Sequence, residues 1–386
     1  MKILAYRWKA YNYVDMIENF RLMGHEVHEI SQSLDNYDVN DEFAENLEKQ
    51  MLFEGYDFVF TINYFGIISD VCQKLNTLYV CYSCDNPLIS MYHESVFNSV
   101  NRLFLFDLTS VKEFQAMGVE HVYHLPLAVD TNRLSAAIEA RGGYVQENYD
   151  DEIALIASLY EKNSYDRIKY ELPEYLQGYL EGVMEAQRDL YGANIIDHCL
   201  TTEILEQLEE RFELKKTDRS LSDLGLIFSV TTLGFKIAQL QRRSALIELS
   251  KSMDVTLYSG SYTADLIKVR TKGEVDYWNE MPYIFNHSKI NLNLTIPNIK
   301  TGIPLRCFDV LGSRGFLLTN FQAEIPMFFE PGKDLVFFED EEDMIDKCRY
   351  YLAHEDERKK IAAHGYETVK QLHNYGNRID TILNNL

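Results

Sequence analysis

Short apolar runs rich in β-branched and aromatic residues recur along this sequence in two separate series, each run followed by a helix-patterned stretch, and that alternation dictates parallel sheets covered by helices. The first series occupies residues 3–7, 26–30, 58–63, 78–83 and 103–106. Stretches 15–23 and 110–117 between them are closed by Gly24 and Gly118, residues suited to the left-handed conformation that ends a helix. A polar stretch containing Gly142-Gly143 reads as a linker. The second series then follows at 153–159, 255–258, 290–294, 316–319 and 335–338. Its regularity is broken between 161 and 252, where Leu176, Tyr179, Leu180, Val183 and Met184 share one helical face.

The expected fold is therefore α/β, with two Rossmann-like doubly wound domains facing a central cleft. Its domains are 1–148 and 149–365, the latter opening with a helical insertion at 161–252. The last segment, 366–386, is expected to be a helix that packs back on the first domain. A length of 386 residues agrees with two cores.

Sixty acidic against thirty-seven basic residues give a formal charge of -23. Such a field repels phosphate backbones and anionic lipid, so no nucleic-acid partner is expected. A local basic pocket survives, since a few arginines and a helix start act within a Debye length. The sequence contains no uninterrupted apolar stretch that reads as a membrane span, which predicts no stable membrane insertion and a cytoplasmic location. Six cysteines in apolar surroundings predict reduced core thiols. Cys81 and Cys84 have the spacing of a metal pair but no second pair nearby, and buried thiols are the expectation.

The most informative stretch is 289–319, KINLNLTIPNIKTGIPLRCFDVLGSRGFLLT. An apolar strand, 290–294, ends in a loop, 295–302, that leads into a helix beginning with Pro304, a residue suited to a first helical turn. Free amides at that start, with Arg306, make an anion site for a diphosphate. Asp309, one and a half turns in, can accept the two hydroxyls of a ribose. Gly312 and Gly315 let the helix stop and the chain pass close to its neighbours. An ordinary strand, helix and strand with a solvated aspartate and arginine is the alternative.

The run from Gly273-Glu274-Val275-Asp276-Tyr277, through this stretch, to Ile361-Ala362-Ala363-His364-Gly365 resembles the C-terminal domain of the spore-maturation (CgeB-like) glycosyltransferases. Ser158-Leu159-Tyr160 with 172–192 looks like an insertion carried by some bacterial members. The first half fits through Asp85-Asn86-Pro87 and 125–130. This resemblance implies a GT-B fold and a hexosyltransferase-type reaction without a bound metal or cofactor. The donor is a nucleotide-sugar, UDP-sugar favoured, and the acceptor is a glycan, a protein or a small molecule.

By the same resemblance, a glutamate pair eight positions apart falls on Thr301 and Asp309, the first position touching sugar and the second ribose. Donor-binding residues are then Lys300, Thr301, Gly302, Ile303, Arg306 and Asp309, with Arg243 of the Arg242-Arg243 pair and His287 ahead of the strand. The turn Gly312-Ser313-Arg314-Gly315 departs from the family, and Arg314 either adds a phosphate contact or blocks the pocket. A retaining reaction would need no protein nucleophile, whereas an inverting one would need a base. Asp85 is the first candidate for that base and His93 the second. A non-catalytic sugar-nucleotide-binding subunit and an NDP-sugar epimerase are the competing readings.

Overall fold

The computed structural model describes residues 1–34, 38–145, 147–213 and 215–386. It divides into two compact units, one comprising Met1–Ala128, Lys215–Ser222 and His373–Leu386, the other Val129–Leu214 and Asp223–Leu372.

In the first unit, β1 (Lys2–Tyr6), β2 (Glu26–Ile30), β3 (Phe58–Ile62), β4 (Leu78–Tyr82), β5 (Asn101–Leu105) and β6 (Val122–His124) form one sheet in the order β2-β1-β3-β4-β5-β6. Every neighbouring pair is parallel. All five residues of β3 are buried, as a strand covered on both faces requires. Gly24 (φ 86°) and Gly118 (φ 95°) do take the left-handed conformation after their helices.

Two segments join this unit from far along the chain. Leu221 N–H donates to the Tyr92 carbonyl at 2.8 Å, Glu94 N–H to the Arg219 carbonyl at 2.9 Å, and the Arg219 guanidinium grips both oxygens of Asp70 at 2.6 and 3.1 Å. Residues 215–222 lie inside the stretch expected to form the insertion, so that insertion is interrupted by a strap belonging to the other unit. At the chain's end, helix Tyr375–Leu383 packs on helix Tyr13–Leu22. Its Arg378 donates to the carbonyls of Pro126 at 2.7 Å and Leu127 at 3.0 Å.

The second unit holds β7 (Asp151–Ile156), β8 (Val255–Tyr258), β9 (Arg270–Lys272), β10 (Ser288–Asn293), β11 (Leu317–Asn320) and β12 (Val336–Phe338), in the order β12-β11-β10-β7-β8-β9. All pairs are parallel. The unit begins at Val129, ahead of the boundary expected at 148, because helix Thr131–Ala140 packs on helices Met281–Asn286 and Leu305–Gly312. Gly312 is where that packing is tightest: a Cβ there would meet Val129 Cγ2 at 2.7 Å and Leu134 Cδ1 at 2.8 Å.

The insertion has an apolar core of its own, in which Leu176, Leu180 and Met184 of helix Glu174–Arg188 meet Ile204, Phe228, Leu233 and Ile237. Of its residues only Leu214 lies outside the described ones. Helix continues unbroken over Leu224–Leu249, with a π-helical stretch at Phe228–Gly234. This helix is long and apolar enough to cross a membrane by length and composition alone, but more than half of its most apolar window is buried inside the protein, as in a core helix.

Candidate active site at the carboxyl edge of the second sheet

Counted from its own first strand, the second sheet runs 3-2-1-4-5-6, and the progression reverses between the neighbours β7 and β10, which form its switch point. Strands on either side of a switch point send their connections to opposite faces, which opens a crevice at their carboxyl ends. Arg242, on helix Phe235–Leu249, reaches into this position. It donates to the Ser158 carbonyl just after β7 at 2.6 Å and to the Leu294 carbonyl just after β10 at 3.0 Å. Its guanidinium also lies 4.9 Å from the centroid of Tyr160, whose ring stacks on Phe235.

Arg306 comes to the same edge from the first turn of helix Leu305–Gly312. Burial pushes the Arg242 pKa down from its ordinary value; Tyr160 opposes the shift, and the positive charge of Arg306 adds to it. Two cations close enough to repel, with Arg242 held by two carbonyls and Tyr160 and paired to no carboxylate among the described residues, form an electrostatic setting that an anion relieves. Arg306 is steadied by the Phe285 ring at 5.4 Å and by the Met281 sulfur. Pro304 is extended (φ -69°, ψ 153°) and precedes the helix, which begins one residue later than the sequence suggested.

The loop from β10 to this helix is tied down by side chains from three sides. Asn320 accepts from Thr295 N–H at 2.7 Å, Asn298 donates to the Val230 carbonyl at 3.1 Å, and Gln322 donates to the Ile299 carbonyl at 3.3 Å. Lys300 pairs with Asp197 at 2.9 Å. Gly302 and Ile303 are buried, so they shape the loop's underside.

Thr301, at the position where the resemblance calls for a carboxylate, donates its hydroxyl to Glu324 Oε1 at 2.8 Å. Glu324 is 1% exposed and follows β11 at this same edge. A carboxylate is thus present beside Thr301, supplied from a part of the chain that sequence reasoning overlooked. The usable signal was an acid five residues after the strand at 316–319.

Asp309 is 3% exposed and accepts the Tyr277 hydroxyl at 3.0 Å. Burial raises its pKa, while the charges of Arg306 and Arg133 and the Tyr277 bond pull it back. Arg133 lies over Trp278 at 4.7 Å and Tyr277 at 5.4 Å. Asp309 is therefore enclosed, not open to solvent as an exposed helical acid would be, with the Tyr277 hydroxyl on its Oδ1.

Two expected donor residues are elsewhere. Arg243 points away from its neighbour, as adjacent helical residues must; it pairs with Asp265 and donates to the Tyr262 carbonyl at 3.0 Å. Arg242, not Arg243, is the member of the pair that reaches the carboxyl ends of β7 and β10. His287 lies before β10, at the amino edge of the sheet, stacked on Tyr283 with centroids 3.6 Å apart and bonded to the Tyr283 carbonyl at 3.0 Å. Six residues of strand separate it from the loop, roughly 20 Å at about 3.3 Å per residue.

In the first unit, Asp85 is exposed beyond the carboxyl end of β4 and accepts Asn63 Nδ2 at 2.7 Å. His93 is 3% exposed, and its ring caps the turn Glu94–Phe97 while bonding Ser95 Oγ at 2.7 Å. The ring of His93 is thus engaged within its own loop and, unlike Asp85, is not open to solvent. Among the described residues no group of three or more His, Cys, Asp or Glu side chains is placed to hold a metal ion.

Residues 240–384 match the family model described as glycosyl transferase-like. That span contains Arg242, the loop, Arg306, Asp309 and Glu324. No curated protein matches the sequence significantly. The fold is shared over 100% of both chains with the Anabaena protein HepE, solved with UDP and glucose, at TM-score 0.56 and 9% identity. It is also shared with a sucrose-phosphate synthase of Thermosynechococcus elongatus, over 100% of this chain and 98% of that one, at TM-score 0.55 and 9% identity. An α-glucosyltransferase solved with UDP and a 13-mer DNA matches over 99% of each chain, at TM-score 0.54 and 11% identity. The architecture is GT-B, and the chain carries a glycosyl transferase-like domain.

Proposed function

We propose that this chain is a nucleotide-sugar-dependent glycosyltransferase that holds the diphosphate of a UDP-sugar between Arg242 and Arg306. The carrying observation is that Arg242 bridges the carboxyl ends of β7 and β10, the switch point of the second sheet, with Arg306 close enough for the two charges to repel. Arginine forks suit phosphate oxygens, and fixed cations there stabilise the charge that develops on a departing nucleotide. The sugar lies toward Thr301 and Glu324, and the ribose replaces the Tyr277 hydroxyl on Asp309. Preference for UDP is supported by structural neighbours solved with UDP. Within the glycosyltransferases, the segments at 273–277 and 361–365 favour the spore-maturation group.

The chemistry needs no bound metal in this reading, because the arginines and the helix start supply the positive charge. For an inverting reaction Asp85 is the candidate base. The acceptor is a glycan, a protein or a small molecule; the neighbour solved with DNA shows that a GT-B architecture is compatible with a nucleic-acid ligand, and the charge of -23 is the argument against one here.

UDP-glucose at millimolar concentration is expected to raise the melting temperature without added divalent metal. Arg306→Gln and Arg242→Lys are each expected to remove most of that rise. A melting temperature unmoved by every nucleotide sugar in a panel would refute the donor site. Binding without release of UDP, across supplied glycan and protein acceptors, would support the binding-subunit reading in its place.

A further inference from the structure

A second cavity, of about 510 Å³, lies within the second unit at the opposite edge of its sheet. Its walls are the first residues of β10, the turn after helix Leu305–Gly312, the segment before β7 and one face of helix Glu355–Leu372. The length of β10 separates it from the carboxyl edge that carries Arg242.

Four cations, Lys289, Arg314, Arg358 and Lys359, line it against one carboxylate, Glu367, among the described residues. In a chain of net charge -23 such a local excess needs a reason. The lysines have partners, Glu152 at 3.1 Å and Glu355 at 2.6 Å. Neither arginine has a carboxylate within ion-pair distance among the described residues; Glu355 feels the charge of Arg358 but is exposed and already paired with Lys359. Arg358 is 2% exposed, and its Nη1 donates to the Tyr351 carbonyl at 2.7 Å, but its Nη2 is buried with no hydrogen-bond partner among the described residues. Burying a cation without a counter-charge is strongly unfavourable, and a bound anion removes the penalty. Arg314 sits at φ 60° in its turn, its guanidinium faced by Tyr366 at 4.3 Å and Tyr144 at 4.7 Å. Those rings orient it without neutralising it.

We propose that this cavity binds a phosphate-bearing small molecule, distinct from the donor, with Arg358 and Arg314 as its principal phosphate contacts. Guanidinium forks match phosphate oxygens bidentately, and the size is that of a small-ligand pocket. Tyr149, 5.5 Å from Arg358, and Tyr366 add ring faces against which a sugar or base can lie.

Calorimetric titration of the full chain with pyrophosphate tests this independently of the donor site. In the Arg306→Gln background, where the donor diphosphate site is disabled, pyrophosphate binding is expected to persist and to weaken at least tenfold when Arg314→Asn, whose new residue tolerates a positive φ, is added; Arg314→Asn alone leaves the response to UDP-glucose unchanged. Arg358→Gln removes the buried charge and is expected to melt no lower than wild type and, in the Arg306→Gln background, to lose stabilisation by pyrophosphate; a purely structural arginine would melt lower. Tighter binding of glucose 1-phosphate than of inorganic phosphate assigns the site to a phosphate ester, and equal affinity assigns it to free phosphate. Pyrophosphate affinity unaltered when Arg314→Asn is added to Arg306→Gln, or absent in Arg306→Gln alone, overturns the proposal. If UDP-glucose fails to bind while this pattern holds, the donor reading falls and the second site stands.

Discussion

Asp309 combines two demands that oppose each other. Its carboxyl is enclosed, so its pKa lies above the ordinary value of 3.8, chiefly through burial. A group whose folded pKa is raised stabilises the fold in its protonated form: the contribution is fully present below 3.8 and is lost as pH rises through the higher folded value. An asparagine at this position would mimic the protonated state at every pH. Asp309→Asn is therefore expected to melt higher than wild type at pH 7, with the advantage shrinking toward pH 4, and to lose most of the UDP-glucose response. Melting curves from pH 4 to 8 check both; a variant less stable at neutral pH would contradict the origin of the shift. The sequence placed Asp309 and Arg306 together because both lie on one short helix after a strand, as the structure has them. It grouped Arg243 and His287 with them, and the structure sets both apart, because a side chain's direction around a helix, and the edge of a sheet that a residue falls on, depend on tertiary neighbours.

At the scale of elements, the loop from β10 is held by the π-helical stretch Phe228–Gly234. Gly234 lies so close to Asn298 that an added Cβ would overlap the Asn298 side-chain oxygen. Gly234→Ala must displace the loop, and a loss of about 1–3 kcal/mol is expected, as for overpacking generally. Its weakening of UDP-glucose binding should exceed its effect on stability. Gly182, exposed on helix Glu174–Arg188 with nothing within 4 Å of its Cβ position, is the control. Gly182→Ala should gain about 0.5–1 kcal/mol from helix propensity and leave binding unchanged. Denaturant melts of both variants measure this, and equal effects on binding would refute the role given to the loop contact. Strands with apolar runs were legible, as for β3 and β10. β9, Arg270–Lys272, was missed because all three residues are exposed and polar on an edge.

For the whole molecule, the first unit is completed by the chain's last fourteen residues, His373–Leu386. Tyr375, Ile379 and Ile382 are buried there, and Arg378 satisfies the Pro126 and Leu127 carbonyls. Arg378→Ala would leave those acceptors short of a charged donor, a loss of about 1.5–3 kcal/mol. Removal of residues 373–386 is expected to unfold or aggregate the first unit. Protease resistance of that unit, followed by mass spectrometry, reports the result; a truncated chain as resistant as the full one would show the segment to be dispensable.

Local patterning was enough to establish two α/β series, an interposed helical stretch and the strand, loop and helix that hold Arg306 and Asp309, since period and turn chemistry are properties of neighbouring residues. Strand order, and with it the switch point between β7 and β10, was decided only by folding, as were the pairing of Thr301 with Glu324, the selection of Arg242 over Arg243, and the strap at 215–222. Each of those brings together residues far apart in the chain, and contacts at that separation are set by which surfaces bury one another.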